Sequence, residues 1–590
     1  VQVRHPIPAT PPETPNMSSP QSGDPFRQEV IDRISAHAGV DASIVDGALT
    51  RPPKANLGDF AFPCFTLAKQ LKKAPPQIAA DIAEKISGES NLLSSAVAAG
   101  PYVNISVHRD RFAEHYLRPA IQAGEDVGQS DEGNGKVVAI DYCSPNIAKP
   151  FHVGHLRSTI IGAALHRLYT KLGYTALGIN HLGDWGTQFG KQIVGLKRWG
   201  TDDDINDLMS LNRLYVQYHD EEKKDADLGK ELGDESRAWF RKQEEGDEEA
   251  LELWRQIRQT SLDYLGRIFD RLGVSFEHTL GESFYNDKMD AVLKEATEKG
   301  ITSESDGALI IDLNDAGIET PALLRKADGA TLYMTRDLAA ALYRKNEFNF
   351  DRMIYVVGTP QSLHFKQLFT CIQKLGYDWA DECVHVNFGQ VMGMATRKGN
   401  VVYLEDLLNE ARDRSLKFVQ EHVDKRSEVD DEEAVAEAVG LAAIVFNDLV
   451  RQRHRDYQFD WDNAISFEGD TGPYLLNAYA RIAGILRKSG VELDPTVDFS
   501  SLSEDEAHVL VREVSDFPRV LRSAAETNEP SVLAGYLLEL ARALHSAYSK
   551  LRVKGEEESV AKARLLLFTV VKNVLGSGMR ILGMTPLERM

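Results

Sequence analysis

Short apolar runs alternate with longer segments of helical periodicity through the centre of the chain. The runs at 137–140, 175–180, 308–312, 352–358 and 385–391 predict strands, and loops and helical patterns lie between them. Alternation of this kind predicts a parallel, doubly wound sheet whose ligands bind beyond the carboxyl ends of the strands.

The flanking regions carry different patterns. Residues 26–122 mix helical patterns at 26–34, 65–71 and 78–86 with a strand at 102–107, whereas the chain after residue 407 reads as one helix after another. We therefore expect a disordered leader at 1–24, an α/β domain at 25–125, a sheet domain at 126–405 with an acidic helical insertion near 201–275, and an all-helical domain at 406–590.

Composition narrows the class of protein. A chain of 590 residues is too long for a single hydrophobic core, so several domains are expected. No apolar run approaches the length of a membrane span. Four widely separated cysteines without a C-x-x-C pair argue against a disulfide framework or a zinc ribbon and favour a reducing compartment. The net charge of −22 argues against a nucleic-acid partner, although residues 542–590 are locally basic.

A strand-to-helix turn follows the first central strand. The run at 137–140 stops at Asp141, and apolar residues recur at helical spacing from Leu156, which places His152, Gly154 and His155 at the turn and the first helical turn. The free N–H groups of such a helix attract anions, and a glycine permits their close approach. The sequence therefore predicts a phosphate site at this turn.

The two histidines can donate hydrogen bonds to phosphate oxygens without adding a permanent charge, whereas Lys149 adds a permanent positive charge. The two histidines have two other interpretations. They could be a pair of zinc ligands, although the sequence lacks the Glu and the i,i+4 histidine spacing of a metalloprotease helix, or they could be ordinary helix caps. A nicotinamide site is not indicated, because Gly183, Gly186 and Gly190 lack the G-x-G-x-x-G spacing.

The segment SPNIAKPFHVGHLRST resembles the "HIGH" signature of class I aminoacyl-tRNA synthetases in the form used by arginyl-tRNA synthetases, and we expect the eukaryotic or fungal type. VMGMATRKGNVVYLEDL resembles the second signature, "KMSKS", but departs from it at Gly393, Ala395 and Thr396. In arginine enzymes without the second lysine, a lysine ahead of the first signature is thought to replace it, and Lys149 stands at that place.

The resemblance implies a Rossmann-like (HUP-type) α/β catalytic core between an N-terminal tRNA-binding domain and a C-terminal all-α anticodon-binding domain. It implies an arginine–tRNA ligase that converts L-arginine and ATP to arginyl-adenylate and transfers arginine to the terminal ribose of tRNA-Arg, with tRNA required for activation. We expect ATP as a substrate together with Mg²⁺, and neither zinc nor NAD as a cofactor. We also expect a monomer that does not bind a membrane and is located in the cytoplasm, and whether part of it serves mitochondria is left open.

The resemblance also assigns residues to roles. The catalytic group is His152, Gly154, His155, Lys149, Met394, Thr396, Arg397 and Lys398. The L-arginine group is Asp141, Ser144, Asn146, His155, Tyr333, Asp337 and Gln361, and the ATP group is His152, Gly154, His155, His364, Val391 and Met392. The tRNA group is Tyr102, Asn104, Tyr474, Arg481 and Met590, beside Leu476 and Asn477, which depart from the usual Gln-Tyr pair.

The arginine group also makes chemical sense. A guanidinium is planar, charged and presents a fork of donors, so its site should offer carboxylates and other acceptors in matching geometry. Simpler interpretations remain for individual residues: Asp337 could pair with Arg336 or cap a helix, Tyr102 could pack inward, and Asn104 could end a turn.

Two other functions compete with the ligase. A small nucleotidylyltransferase would share the H-x-G-H helix but would not need the helical region after residue 407. An RNA-binding or scaffolding paralogue without catalysis should have lost the signature residues, yet His152, His155, Lys149 and Asp337 are present.

Overall fold

A computed structural model describes residues 24–52, 54–147, 149–327, 329, 333–393, 403–422 and 431–590. The expected leader, apart from its last residue Asp24, lies outside these ranges. So do residues 394–402 of the second signature, among them Met394, Ala395, Thr396, Arg397 and Lys398.

The N-terminal unit is a three-stranded antiparallel sheet covered by helices. Its elements are α1 (Pro25–Ala38), α2 (Ala42–Ala48), β1 (Phe60–Pro63), α3 (Ala68–Leu71), α4 (Pro75–Ile86), β2 (Leu93–Ala99), β3 (Tyr102–Val107) and α5 (Arg109–Ala123). The strand order is β1-β3-β2. The sequence missed β1 and β2, because β1 has four buried residues without alternation and β2 is rich in Ser and Ala.

The central unit carries the expected parallel sheet. Its elements are β4 (Val137–Asp141), α6 (Leu156–Lys171), β5 (Thr175–Asn180), α7 (Thr187–Trp199), α8 (Leu208–Lys224), α9 (Ala226–Glu244), α10 (Glu248–Leu272), β6 (His278–Thr279), α11 (Met289–Glu298), β7 (Thr302–Ser305), β8 (Ala308–Ile311), β9 (Ala322–Arg325), α12 (Tyr333–Phe348), β10 (Arg352–Gly358), α13 (Ser362–Lys374), β11 (Cys383–Phe388) and β12 (Val391–Met392). Five strands pair in the order β11-β10-β4-β5-β6, all in parallel. Asp141 at the end of β4 lies opposite Tyr355 and Ile179, so its side chain is at the carboxyl edge of the sheet.

The sequence predicts one strand in the parallel sheet that the structure places in a different sheet. The run at 308–312 was expected in the parallel sheet, but β8 lies between β7 and β9 in a separate antiparallel sheet. Asp306 and Gly307 have φ values of 50° and 77°, which allow the tight turn that folds β8 back onto β7. A hairpin of this kind is closed locally, so it needs no helical crossover.

The remaining elements are helical apart from one short strand. They are α14 (Leu404–His422), α15 (Glu432–Leu449), β13 (Tyr457–Gln458), α16 (Trp461–Ile465), α17 (Gly472–Lys488), α18 (Asp505–Glu526), α19 (Pro530–Tyr548) and α20 (Glu558–Ile581). Within the described ranges, no helix combines the length and the apolar character needed to cross a bilayer.

A buried ion pair joins the signature helix to the C-terminal helices. The Arg157 guanidinium on α6 pairs with Asp448 on α15 at 3.0 Å, and the two side chains are 2% and 1% exposed. Arg157 also donates to the carbonyls of Gly389 and Arg455 at 2.8 and 3.0 Å, and Tyr457 donates to Asp448 at 3.0 Å. This network fixes where α6 lies against the helical domain.

Substituting Asp448→Ala should lower the free energy of unfolding by about 3–5 kcal/mol, because Arg157 would stay buried without a counter-charge. Urea denaturation followed by circular dichroism measures the change. Asp413→Ala, which removes an exposed pair with Arg412, is the matched control and should cost less than about 1 kcal/mol. Equal losses in the two variants would contradict the structural role of the buried pair.

Candidate active site

The turn after β4 has an unusual backbone. Cys143 and Ser144 have φ values of 73° and 46°, in the left-handed region that residues other than glycine rarely adopt. Hydrogen bonds hold the turn: the Cys143 N–H donates to Ser158 Oγ at 3.0 Å, and that hydroxyl donates to the Val356 carbonyl at 2.6 Å. The end of β4, the start of α6 and the neighbouring strand β10 are therefore joined at Ser158.

Asp141 is committed to partners within the protein. Its Oδ2 pairs with Arg344 of α12 at 2.8 Å, and its Oδ1 accepts from Ser144 Oγ at 2.7 Å. Arg344 is 1% exposed and also lies 3.2 Å from His181 Nδ1. The contact of Asp141 with a ligand's guanidinium stays a prediction, because the chain's own guanidinium occupies one oxygen.

Asn146 contacts the loop after β5. The backbone of Gly183 donates to the Pro145 carbonyl at 3.0 Å, and Asn146 forms a parallel bridge with Gly183. A Cβ at Gly183 would lie 1.9 Å from Asn146 Oδ1. Any side chain at position 183 would displace the Asn146 amide, so glycine is needed to keep that amide in its present place.

The signature histidines lie where the sequence predicts them. A 3₁₀ turn at Val153–His155 precedes α6, and the Gly154 N–H donates to His152 Nδ1 at 3.1 Å. A Cβ at Gly154 would meet the His152 ring at 2.7 Å. The His155 ring stacks on Phe151 at 4.9 Å, with 8° between the planes.

Both imidazoles favour the neutral form. Burial, with a further contribution from His152, lowers the pKa of His155 to about 3. Burial and the charge of Lys149 lower the pKa of His152, while the Lys149 ammonium lies 5.1 Å from the Tyr215 ring centroid. In the part of the chain that the structure describes, His155 Nδ1 is buried without a hydrogen-bond partner. The turn therefore presents neutral imidazoles beside one lysine.

The structure brings Asp337 and His364 together. Asp337 Oδ2 and His364 Nε2 are 2.6 Å apart, and the two side chains remain 31% and 24% exposed. Tyr333, the first residue of α12, is 67% exposed, and Gln361 is exposed in the turn after β10. Arg336 pairs with Glu282 at 3.2 Å rather than with Asp337, which removes one of the simpler interpretations of Asp337.

Further acidic groups surround this edge of the sheet. Asp184 is fully buried and pairs with Arg258 at 2.9 Å. Burial raises the pKa of Glu282 to about 7; Arg336 opposes this shift, and Asp337 and Asp184 add to it. Burial and Arg344 lower the pKa of His181, while Asp141, Asp337 and Asp184 act in the opposite direction. His181 therefore lies within the electrostatic field of all three aspartates.

The second signature is anchored at both of its described ends. Val391 and Met392 form β12, which pairs in parallel with β13, and Met392 is 51% exposed. On the other side, Tyr403 forms an antiparallel bridge with His152, and the Leu404 N–H donates to the Phe151 carbonyl at 2.8 Å. The two signatures are therefore in direct backbone contact.

Two of the predicted tRNA residues lie on the N-terminal sheet. Tyr102 is 39% exposed and meets Phe65 edge to face, with ring centroids 6.0 Å apart. Asn104 is half-buried within β3, opposite Ala61 and Val97. Tyr102 does not pack inward and Asn104 does not end a turn, so both simpler interpretations fail. Their contact with tRNA stays a prediction.

The other predicted tRNA residues belong to the C-terminal helices. Tyr474 and Arg481 on α17 line one shallow pocket, where Arg481 lies 3.2 Å from His545 Nδ1. Met590 is half-buried at the end of the chain. Of the two departures from the family pattern, Asn477 lines this same pocket, whereas Leu476 is fully buried in the core.

Sequence reasoning missed Arg344, His181 and Glu282. A signal existed for Arg344, because it lies seven residues after Asp337 and therefore on the same face of α12, among apolar residues. His181 directly follows β5, at the edge where ligands of parallel sheets bind. No comparable signal marks Glu282, whose burial depends on tertiary packing.

Three family models match the chain. The model described as "tRNA synthetases class I (R), catalytic domain" matches residues 119–461. "DALR anticodon binding domain" matches residues 475–590, and "Arginyl tRNA synthetase N terminal domain" matches residues 25–107.

Curated relatives align over nearly the whole chain. An arginine–tRNA ligase of Halothermothrix orenii is 42% identical over 572 residues, which cover 96% of this chain and 100% of the relative. One of Clostridioides difficile is 43% identical and covers 92% of this chain and 96% of the relative. Both are bacterial, so the expectation of a eukaryotic or fungal type is not supported.

Solved structures share the fold. The arginyl-tRNA synthetase of Thermus thermophilus superposes with a TM-score of 0.78 at 23% identity, covering 96% of this chain and 100% of that one. The enzyme of Plasmodium falciparum gives a TM-score of 0.77 at 24% identity, covering 95% and 99%. The expected fold class, a parallel-sheet core between an N-terminal domain and a helical anticodon-binding domain, is confirmed.

The low pKa of His155 predicts a pH effect on stability. An imidazole of the unfolded chain titrates near 6.5, so between that pH and about 3 the unfolded state binds a proton that folded His155 does not. Stability should therefore fall as the pH drops below about 6.5. Urea denaturation at several pH values should show a smaller fall for His155→Gln than for the unsubstituted protein. Identical pH profiles would contradict the assignment.

Proposed function

The chain belongs to the class I arginyl-tRNA synthetases, and from that premise we propose how its own residues carry the reaction. The protein is an arginine–tRNA ligase that binds ATP, arginine and tRNA. In the first step, an oxygen of the arginine carboxylate bonds to the α-phosphorus of ATP while the bond to the leaving diphosphate breaks. In the second, a terminal ribose hydroxyl of tRNA attacks the adenylate and AMP leaves.

We propose that His152, Gly154, His155 and Lys149 hold the phosphates of ATP. As charge grows on the phosphate oxygens, donors already aimed at them stabilise the transition state more than the ground state. The observation that supports this proposal is the turn itself, which places Gly154 and two neutral imidazoles beside Lys149 at the start of α6. Lys149 supplies the permanent positive charge, and Mg²⁺ is expected as a counter-ion of the phosphates themselves.

The proposed guanidinium site is built on Asp337. Its carboxylate is partly exposed, and it lies on the first turns of α12 with the exposed phenol of Tyr333. Gln361 adds an acceptor from the turn after β10. Because Asp141 already pairs with Arg344, we assign it mainly to positioning the turn, and we keep Ser144 and Asn146 for the carboxylate and amino end of the substrate.

The remaining assignments concern tRNA and the cell. We propose that residues 25–125 contact tRNA through Tyr102 and Asn104, that residues 126–405 catalyse, and that residues 406–590 contact the anticodon through Tyr474, Arg481 and Met590. An aromatic ring offers a stacking surface for an unpaired base, and an amide can bond its edge. The bacterial relatives and the four free, buried cysteines favour the cytoplasm.

Substituting His155→Ala should lower kcat for arginine-dependent exchange of diphosphate into ATP by roughly 10²–10³-fold, because a donor to the transition-state charge is lost. The assay contains tRNA, since activation is expected to need it, and His37→Ala on the exposed face of α1 is the control. An unchanged kcat would contradict the role of His155. Full exchange without tRNA would contradict the proposed coupling to tRNA binding.

Substituting Asp337→Asn should raise the KM for arginine about 10- to 100-fold, because a hydrogen bond between charged groups contributes about 1.5–3 kcal/mol. The preference for arginine over lysine, measured as the ratio of kcat/KM values, should fall as well, because lysine cannot make the paired hydrogen bonds of a guanidinium and so loses less in this variant. Asp315→Asn, which removes an exposed pair with Lys374, is the matched control. Steady-state kinetics decide the matter, and an unaltered KM would remove Asp337 from the guanidinium site.

A further inference from the structure

A cleft that contains none of the proposed active-site residues lies between α6 and the segments that follow α5 and α10 and end α20. Its volume is about 420 Å³. The walls come from one face of α6, from the turn after α5, from the loop after α10 and from the end of α20. A cleft of this size falls within the ~300–1,000 Å³ of sites that bind small molecules.

Arg167 of α6 is a cation without a counter-charge in this cleft. Among the described residues, no carboxylate lies within ion-pair distance of its guanidinium, and its one hydrogen bond goes to the Gly273 carbonyl at 2.6 Å. Burial lowers the pKa of Arg167. The Arg167 guanidinium is partly exposed and has no carboxylate partner in the described ranges, so its free N–H groups are well suited to meet an anion.

Two more cations line the same walls. Lys171, one turn further along α6, donates to the backbone carbonyl of Asp126 at 3.0 Å, and burial lowers its pKa. Arg580 of α20 forms a half-exposed pair with Glu125 at 3.3 Å. The donors therefore approach the cleft from two different domains.

The acidic groups at the cleft leave a net positive charge. Three cations line the cleft, Arg167, Lys171 and Arg580, against the two carboxylates of Glu125 and Asp126, and Glu125 pairs with Arg580. Glu277, 3.2 Å from His166, is not among the lining residues. The carboxylate of Asp126 is exposed and forms no ion pair with the described residues, so it offsets only part of the charge of Arg167 and Lys171.

We propose that this cleft binds a phosphate group, free or as the ester of a small metabolite, with Arg167 as the principal anchor and Lys171 and Arg580 as further donors. A guanidinium can bind two phosphate oxygens at once, and a phosphate has oxygens left for the other two cations. A phosphate also carries more negative charge than a single carboxylate, which suits a site lined by three cations. The site is separate from the turn that is proposed to hold ATP.

Binding at this cleft would join the domains. Arg167 and Lys171 belong to the helix that begins at the signature histidines, Arg580 belongs to the last helix of the chain, and Asp126 belongs to the connection from the N-terminal unit. A ligand contacting Arg167, Lys171 and Arg580 would restrict the motion of the signature helix relative to the last helix, so its binding should also raise the temperature of thermal unfolding.

Calorimetric titration with ribose 5-phosphate and with inorganic phosphate tests the proposal on the full chain. We expect one site with a Kd in the ~mM range or tighter, and at least a tenfold loss of affinity in Arg167→Gln. His155→Ala, which alters the turn proposed to hold ATP, should leave this binding in place, because the two sites are separate. Arg213→Gln, which removes an exposed pair with Asp204, is the control and should bind like the unsubstituted protein.

Lys171→Gln provides a second variant should Arg167→Gln fail to fold, and it should also weaken binding. Absence of binding by both probes at about 10 mM, loss of binding in His155→Ala, or unchanged affinity in the folded Arg167→Gln or Lys171→Gln variants would each overturn the proposal. If neither probe binds but Arg167→Gln weakens tRNA binding and reduces its salt dependence, the cleft contacts the tRNA backbone instead, and the proposal is equally overturned.

Discussion

The buried ion pair between Asp141 and Arg344 is the constraint on which the proposed active site depends. It joins the end of β4, where the signature turn begins, to α12, whose first turns carry Tyr333 and Asp337. Separating two charges at 1% and 8% side-chain exposure would leave each without compensation, which is strongly unfavourable. The pair therefore fixes the distance between the two elements that are proposed to hold the two ends of the substrate.

The site contains two aspartates that can each bind a guanidinium, one used within the protein and one left open to a ligand. A guanidinium of the chain itself is fully buried against Asp141, while the carboxylate of Asp337 on the same helix face remains partly exposed beside His364. The phosphate end follows a different principle, since burial keeps His155 neutral and the nearby permanent charge comes from Lys149. Charged recognition and neutral hydrogen bonding therefore occupy opposite ends of the proposed site.

Much of this arrangement could be predicted from local sequence. The apolar run of β4, the prolines after it and the helical spacing from Leu156 were enough to find the strand, the turn and the helix. The sheet of the strand at 308–312 does not follow from its sequence, because an apolar run does not reveal its pairing; the Asp306-Gly307 turn is the local signal that pairs it with β7. Arg344 was missed because its partner lies far away in the chain, and pairing at that range is a tertiary property.

The most direct test of the account is a crystal structure of the protein with bound arginine. The account predicts that the guanidinium of the ligand lies within hydrogen-bond distance of Asp337, while Arg344 keeps its contact with Asp141. A ligand that displaces Arg344 and binds Asp141 in its place would contradict the account. So would a guanidinium bound away from α12.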